Sequence, residues 1–513
     1  MVQDHLVTDL ANLASLPEQS SHQDIYAVID LGSNSFHMLM VKVVAGSVQV
    51  IGRVKRKVRL AAGLNQQQIL HLDAMTRGWE CLALFAERLQ DIPAENIRIV
   101  GTATLRLAKN ADRFLQHAET IIGQKIQVIS GEEEARIIYL GVAHTSTNHR
   151  KRLVIDIGGA STEVIVGEGY TPALLVSLNM GCVTYLEQYF ADHVLTAAHF
   201  NQAITAAELL IQDIVKPYRQ HGWQLALGAS GTVQAVQEIL IAQGTDEHIT
   251  LARLELIMQQ AIACQHISRL AITGLAQDRK LAFASGLAIL IALFRQLNIK
   301  TMILSGGALR EGVLYSLLPQ LHQNDVRNRT VQSLMVRYFI DQQQAQRVAE
   351  VAADLALQLE PSWDLKCFDG HNLLHSSALI HEIGLLIEYK NHHHHGAYII
   401  THTELPGFTR AQQQLLMALV HNHRADINDK IIANQTMTSV LLAQRLTRIL
   451  RLAVILSMRR RDEVLPQVSI SSDSEKLLLT LPDSWLEQHP LMSAELEQEI
   501  QYQQLAGWHL TIS

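Results

Sequence analysis

The chain has 513 residues, of which 48% are hydrophobic and 18% charged, with a formal net charge of −7 and only ten prolines. A length well beyond one hydrophobic core predicts several domains, and the composition excludes a disordered or low-complexity protein. The acidic balance excludes a chain whose main work is coating nucleic acid, because neutralising phosphates takes a basic excess.

Residues 1–24 lack both a basic start and a long apolar core, so they are expected to form a flexible leader and not an export signal. From Ile25 the pattern reads strand, turn, strand, turn, strand: IYAVIDL, GSNS, FHMLMVKVV, then a β-rich run ending in GRVKRKVRL. Helix-period segments over 75–90 and 111–122 alternate with the apolar runs IRIVGT and KIQVIS, which predicts an α/β domain over 25–143. A second α/β domain is expected over 144–318. Its longest apolar run, Leu281 to Phe294, is shorter than the roughly 20 residues that span a bilayer and reads as a buried helix, so no membrane is expected. Beyond it, stretches rich in Gln, Leu, Ala and His predict an all-helical domain over 319–466, and VSISSDSEKLLLTL with GWHLTIS predicts a small α+β domain over 467–513. The four cysteines, Cys81, Cys182, Cys264 and Cys367, form no CxxC pair, which argues against disulfides or structural zinc and suits a cytoplasmic protein.

One hairpin occurs twice. AVIDLGSNSFHMLMV and LVIDIGGASTEVIVG each deliver an aspartate (Asp30, Asp156) from an apolar strand, then a glycine (Gly32, Gly158), a small polar turn and a second apolar strand. The aspartates are 126 residues apart, a domain's length, which predicts duplicated halves facing each other across a cleft. Tight Gly/Ser turns present backbone N–H groups to phosphate oxygens, making Gly32, Ser33, Asn34 and Ser35 candidates in the first copy and Gly158, Gly159, Ser161 and Thr162 in the second. Asp30 and Asp156, at strand ends, are candidate Mg²⁺ residues, and Glu163 is a candidate metal or water-positioning group.

In KIQVISGEEEARIIYLG, Ser130 and Glu133 have capping-box spacing, whereas Glu134 is free to face the cleft as a general base. Arg106 in GTATLRLA follows a strand end, where its guanidinium is a candidate grip on phosphate. Arg53, Lys55, Lys57 and Arg59 alternate along a strand and share a face; that face is either a solvated edge or a wall attracting polyphosphate. Two further glycine turns, GASGT and SGGALREG, each stand between a strand and a helix pattern. In the helical region His375, His381, Glu382, His392 to His395, His421 and His423 fit no standard zinc spacing. They come nearest to an HD phosphohydrolase pattern with Glu382 in place of the aspartate, and packed or exposed histidines on a helical scaffold are expected.

Together DLGSNSFHM, ISGEEEAR, DIGGASTE, GASGT and GGALREG resemble, in order and spacing from Ile25 to the C-terminus, the exopolyphosphatase and guanosine pentaphosphate phosphatase family. The resemblance implies an α/β fold of two actin-like (sugar kinase-type, ribonuclease H-like) domains, an HD-like helical domain, a small fourth domain, a homodimer, and Mg²⁺-dependent release of terminal phosphate. It makes Glu134 the catalytic base, gives Asp156 and Glu163 metal and water positioning, and puts phosphate on Gly32 to Ser35, Gly158 to Thr162 and Arg106. The variants GEEEAR and GGASTE, with RKVRLAAGLN and MGCVTYLE, look like the guanosine pentaphosphate phosphatase branch. That implies guanosine pentaphosphate as substrate and guanosine tetraphosphate as product, in the stringent response. Polyphosphate is the alternative substrate; an actin-like kinase and a non-catalytic alarmone sensor are the rival classes.

Overall fold

The three opening apolar runs pair as an antiparallel meander: β1 (Ile25–Leu31), β2 (Ser35–Val44) and β3 (Ser47–Lys57). The computed structural model describes residues 25–146, 151–318, 325–436, 438–462, 465–482 and 484–513; the leader expected over 1–24 lies outside them. β1 also pairs in parallel with β4 (Ile97–Gly101), and β4 with β5 (Ile126–Val128), giving the order β3-β2-β1-β4-β5. Parallel neighbours need crossover connections, and the helices Leu72–Leu89 and Ala111–Ile122 provide them.

The second sheet repeats this plan with β6 (Arg152–Ile157), β7 (Thr162–Glu168), β8 (Thr171–Leu178), β9 (Leu225–Gly228) and β10 (Ile303–Leu304), in the order β8-β7-β6-β9-β10. The duplication extends to register: Asp30 lies opposite His37 across β1 and β2, and Asp156 opposite Glu163 across β6 and β7. This is the duplicated actin-like arrangement. β3 ends at Lys57, and Arg59 turns into the left-handed region at φ 52°. The basic face of the strand therefore carries Arg53, Lys55 and Lys57 but not Arg59.

Two helices, Gly131–Ala143 and Leu309–Leu317, fill the space between the sheets. Ile138, Val142, Val313 and Leu314 share one core with Val28 and Leu39 of the first sheet and Val154 and Ile165 of the second. The helices approach so closely that a Cβ on Gly141 would lie 2.1 Å from the Ala308 carbonyl oxygen, and one on Gly312 1.9 Å from that of Ile137; only glycine permits this. The apolar helix Lys280–Leu297 is long and apolar enough to cross a membrane by composition, but it is 72% buried inside the fold, with every residue from Phe283 to Phe294 in the core.

The chain divides into two compact units, and the one just described ends near residue 323. In the other, 324–513, helices from Val326–Arg337 to Val440–Leu456 are followed by a small sheet of β11 (Ser469–Asp473), β12 (Lys476–Thr480) and β13 (His509–Ile512), with the helix Pro490–Leu505 before the last strand. Strand and helix here share one core: Ile470, Leu477 and Leu510 pack with Leu355, Leu446 and Leu450. Buried Arg448 binds the Glu475 and His509 carbonyls at 2.7 and 2.6 Å. The division expected at residue 467 therefore marks a change of secondary structure within one core.

Candidate active site

Both hairpins carry an aspartate one residue before the end of their first strand, and both turns open on one cleft of about 620 Å³. The turns touch: a Cβ on Gly159 would come within 2.9 Å of the Ser33 Cβ and 3.4 Å of the Asn34 nitrogen, so the second copy needs glycine where the first has serine. Gly32, Ser33, Asn34 and Ser35 line the cleft from one side and Gly158, Gly159 and Ser161 from the other, with Asp30, Glu134, Asp156 and Glu163 among them. The Asp30 Oδ1 and Ser35 Oγ atoms are buried there without a hydrogen-bond partner.

Burial raises the proton affinity of all four carboxyls, and Glu134 and Asp156 raise that of their neighbours further. Burial first, then Glu134 and Asp156, push Asp30 up to about 7 against the counter-pull of Arg310. Burial and Glu134 likewise bring Asp156 to about 7. Burial, Glu134 and Asp156 hold Glu163 well above the usual range, although the Ser177 hydroxyl donates to its Oε1 at 2.7 Å. Glu134 is raised by burial and pulled back by Arg106, whose Nη1 lies 3.0 Å from its Oε2.

Local structure explains why Glu134 and not Glu133 reaches the cleft. Ser130 caps the helix Gly131–Ala143 by accepting from the Glu133 amide at 3.1 Å. The Glu133 carboxylate turns outward to Arg136 at 2.7 and 2.8 Å, so only half of the expected capping box forms. Glu134, one residue on, is 7% exposed and faces inward.

Two expected phosphate contacts lie elsewhere. Thr162 is the first residue of β7, and side chains alternate along a strand; with Ser161 and Glu163 toward the cleft, the Thr162 hydroxyl points away and donates to the Met180 carbonyl at 2.6 Å. Arg106 does not line the cleft: its Nη1 is held by Glu134 and by the Ile129 carbonyl at 2.9 Å. Sequence reading missed the cations that do line it beside β3. Arg310 is the arginine of SGGALREG itself, in the first turn of the helix Leu309–Leu317, and Arg279 immediately precedes the buried helix Lys280–Leu297. Lys57 Nζ reaches the Asp278 carbonyl at 2.8 Å. The GGALREG motif drew attention to its glycines; its arginine was the available signal.

The carboxylates suit a hard divalent cation, since their mutual repulsion and the orphaned Asp30 oxygen call for positive charge. Among the described residues no group of three or more His, Cys, Asp or Glu side chains is already gathered around a metal position.

In the second unit some of the histidines are packed side chains and others, His394 among them, are exposed. His381, His392 and His423 are buried, with the Nε2 atoms of His392 and His423 3.2 Å apart, and burial lowers the proton affinity of all three. Glu382, at the position of the HD aspartate, is bound by Arg460.

Duplicated sheets around a carboxylate-floored, glycine-turned cleft define a phosphate-handling protein of the actin-like fold. Comparison with known proteins is more specific. The model of the Ppx/GppA phosphatase family matches residues 39–321, and that of Ppx/GppA phosphatase, domain III, matches residues 326–500. This chain belongs to the Ppx/GppA phosphatase family. It is 56% identical over 491 residues, 96% of this chain and 99% of the relative, to the guanosine-5'-triphosphate,3'-diphosphate pyrophosphatase of Pseudoalteromonas translucida (strain TAC 125). Among solved structures, an exopolyphosphatase from Cytophaga hutchinsonii ATCC 33406 is similar with a TM-score of 0.53 and 22% identity, covering 58% of this chain and 98% of that one. An exopolyphosphatase-like protein is similar with a TM-score of 0.51 and 21% identity, covering 57% and 97%. These two likenesses concern fold.

Proposed function

We propose that this chain hydrolyses the terminal 5'-phosphate of guanosine pentaphosphate, giving guanosine tetraphosphate and inorganic phosphate. The observation that carries the proposal is the 56% identity, running almost end to end, to a guanosine-5'-triphosphate,3'-diphosphate pyrophosphatase. The geometry of the cleft supports the chemistry. Backbone N–H groups of the two turns bind the terminal phosphate. Glu134, buried yet kept ionisable by Arg106, takes a proton from a water aligned with the terminal phosphorus. The water oxygen bonds to that phosphorus as its bond to the bridging oxygen breaks, and the electron pair leaves with the shortened phosphate chain. Asp30 and Asp156, with Glu163, would hold Mg²⁺, whose chemistry is to neutralise charge on the phosphate oxygens.

Hydrolysis of inorganic polyphosphate is the second reading, favoured by the Arg53, Lys55 and Lys57 wall. The test is kcat/KM for guanosine pentaphosphate against long-chain polyphosphate with Mg²⁺ under the same conditions. The expected result is a clear preference for the nucleotide; preference for polyphosphate overturns the proposal in favour of the second reading.

A further inference from the structure

The two hairpins are alike in register and unlike in charge. Opposite each aspartate the partner strand sends one side chain into the cleft: Glu163 beside Asp156, but His37 beside Asp30. His37 in turn has a partner of its own, because Arg310 Nη1 lies 3.0 Å from its Nδ1. A guanidinium only donates, so Nδ1 is the accepting nitrogen and the neutral ring carries its proton on Nε2. Arg310 is also fixed from its own side. It stands in the first turn of the helix Leu309–Leu317, whose start is tied down by the Ala308 amide donating to Glu311 Oε2 at 2.9 Å.

From that position the charge of Arg310 acts on both Asp30 and Asp156. Yet among the described residues no carboxylate forms an ion pair with it, whereas Arg106 is bound by Glu134. A cation aimed into an acidic cleft, held by an uncharged acceptor and not by an acid, keeps its charge for an incoming anion.

We propose that Arg310 is a substrate-binding residue, its guanidinium taking the non-bridging oxygens of the phosphoryl group under attack, and that His37 is the positioning residue that aims it. The inference rests on the phosphohydrolase reading of this cleft and adds to it the group that binds the phosphoryl oxygens.

Four full-length variants test it: Arg310→Gln, Arg310→Lys, His37→Asn and His37→Phe. The Asn side chain returns an acceptor near the position of Nδ1; Phe keeps the bulk and removes the acceptor. Arg310→Gln is expected to lower kcat by roughly 10²- to 10³-fold, the usual effect of losing a donor to developing charge, at an unchanged melting temperature. His37→Phe is expected to follow it in part, and His37→Asn to restore kcat to within a few-fold of the parent. Arg310→Lys guards against loss of fold by keeping the charge, and is expected to fall between Arg310→Gln and the parent. Independently of turnover, calorimetric titration of the metal-free protein with inorganic tripolyphosphate is expected to show binding weakened at least about tenfold by Arg310→Gln. Unchanged tripolyphosphate affinity, no binding by the parent, or His37→Asn as impaired as His37→Phe overturns the assignment. A parent that cleaves neither guanosine pentaphosphate nor polyphosphate sinks the functional reading instead, and the titration still decides the role of Arg310.

Discussion

At the scale of single residues, the site combines groups the sequence announces with groups only the fold can bring in. Asp30, Asp156, Glu134 and Glu163 are readable because each occupies a fixed place in a repeated or capped motif. Glu134→Gln keeps the shape and an oxygen that can accept from Arg106 but removes the base, so kcat is expected to fall by about 10²- to 10⁴-fold while substrate still binds. Single-turnover kinetics together with a binding isotherm checks this, and near-parental turnover would remove Glu134 from the role. Thr162 and Arg106 lie off the cleft lining for physical reasons: the pleat of β7 turns the first to the opposite face, and the second is paired with Glu134. Arg279 was not legible because it lies far in sequence from the aspartates and reaches the cleft only through tertiary packing, whereas Arg310 stood in a motif read only for its glycines.

Among elements, the strands were the most legible part, since alternation and Gly/Ser turns write β1, β2, β6 and β7 directly into the sequence. The helices Gly131–Ala143 and Leu309–Leu317 were visible as helices but not as the pair that joins the two halves, because amphipathic period does not say which sheet a helix covers. Their crossing depends on Gly141 and Gly312. Gly141→Ala puts a methyl against the Ala308 carbonyl, and overpacking of this kind costs about 1–3 kcal/mol. The expected outcome is a lower urea midpoint at an unchanged m-value, together with a raised KM, because the same crossing carries Arg310 and the cleft loops. Unaltered stability would mean the helices separate freely.

For the molecule as a whole, the acidic cleft should appear in its stability. Asp30 and Asp156 bind protons more tightly in the fold, at about 7, than an unfolded aspartate does near 3.9. A raised folded value contributes stability below the unfolded value and loses it as pH rises through about 7. The metal-free protein is therefore expected to melt at progressively lower temperature from pH 5 to pH 8. Added Mg²⁺ should recover the loss at pH 8 and do little at pH 5, where the carboxyls are still protonated. Differential scanning calorimetry at the two pH values, with and without Mg²⁺, decides it; a flat profile or an equal Mg²⁺ effect at both would mean these carboxyls neither repel one another nor hold the cation.

The unequal pair His37 and Glu163 has one more consequence. A pseudo-twofold cleft with identical halves would accept a phosphate chain in either orientation, with no means of telling its end from its middle. With an acid on one half and an imidazole-held cation on the other, the two orientations differ in energy, and the chain acquires a direction.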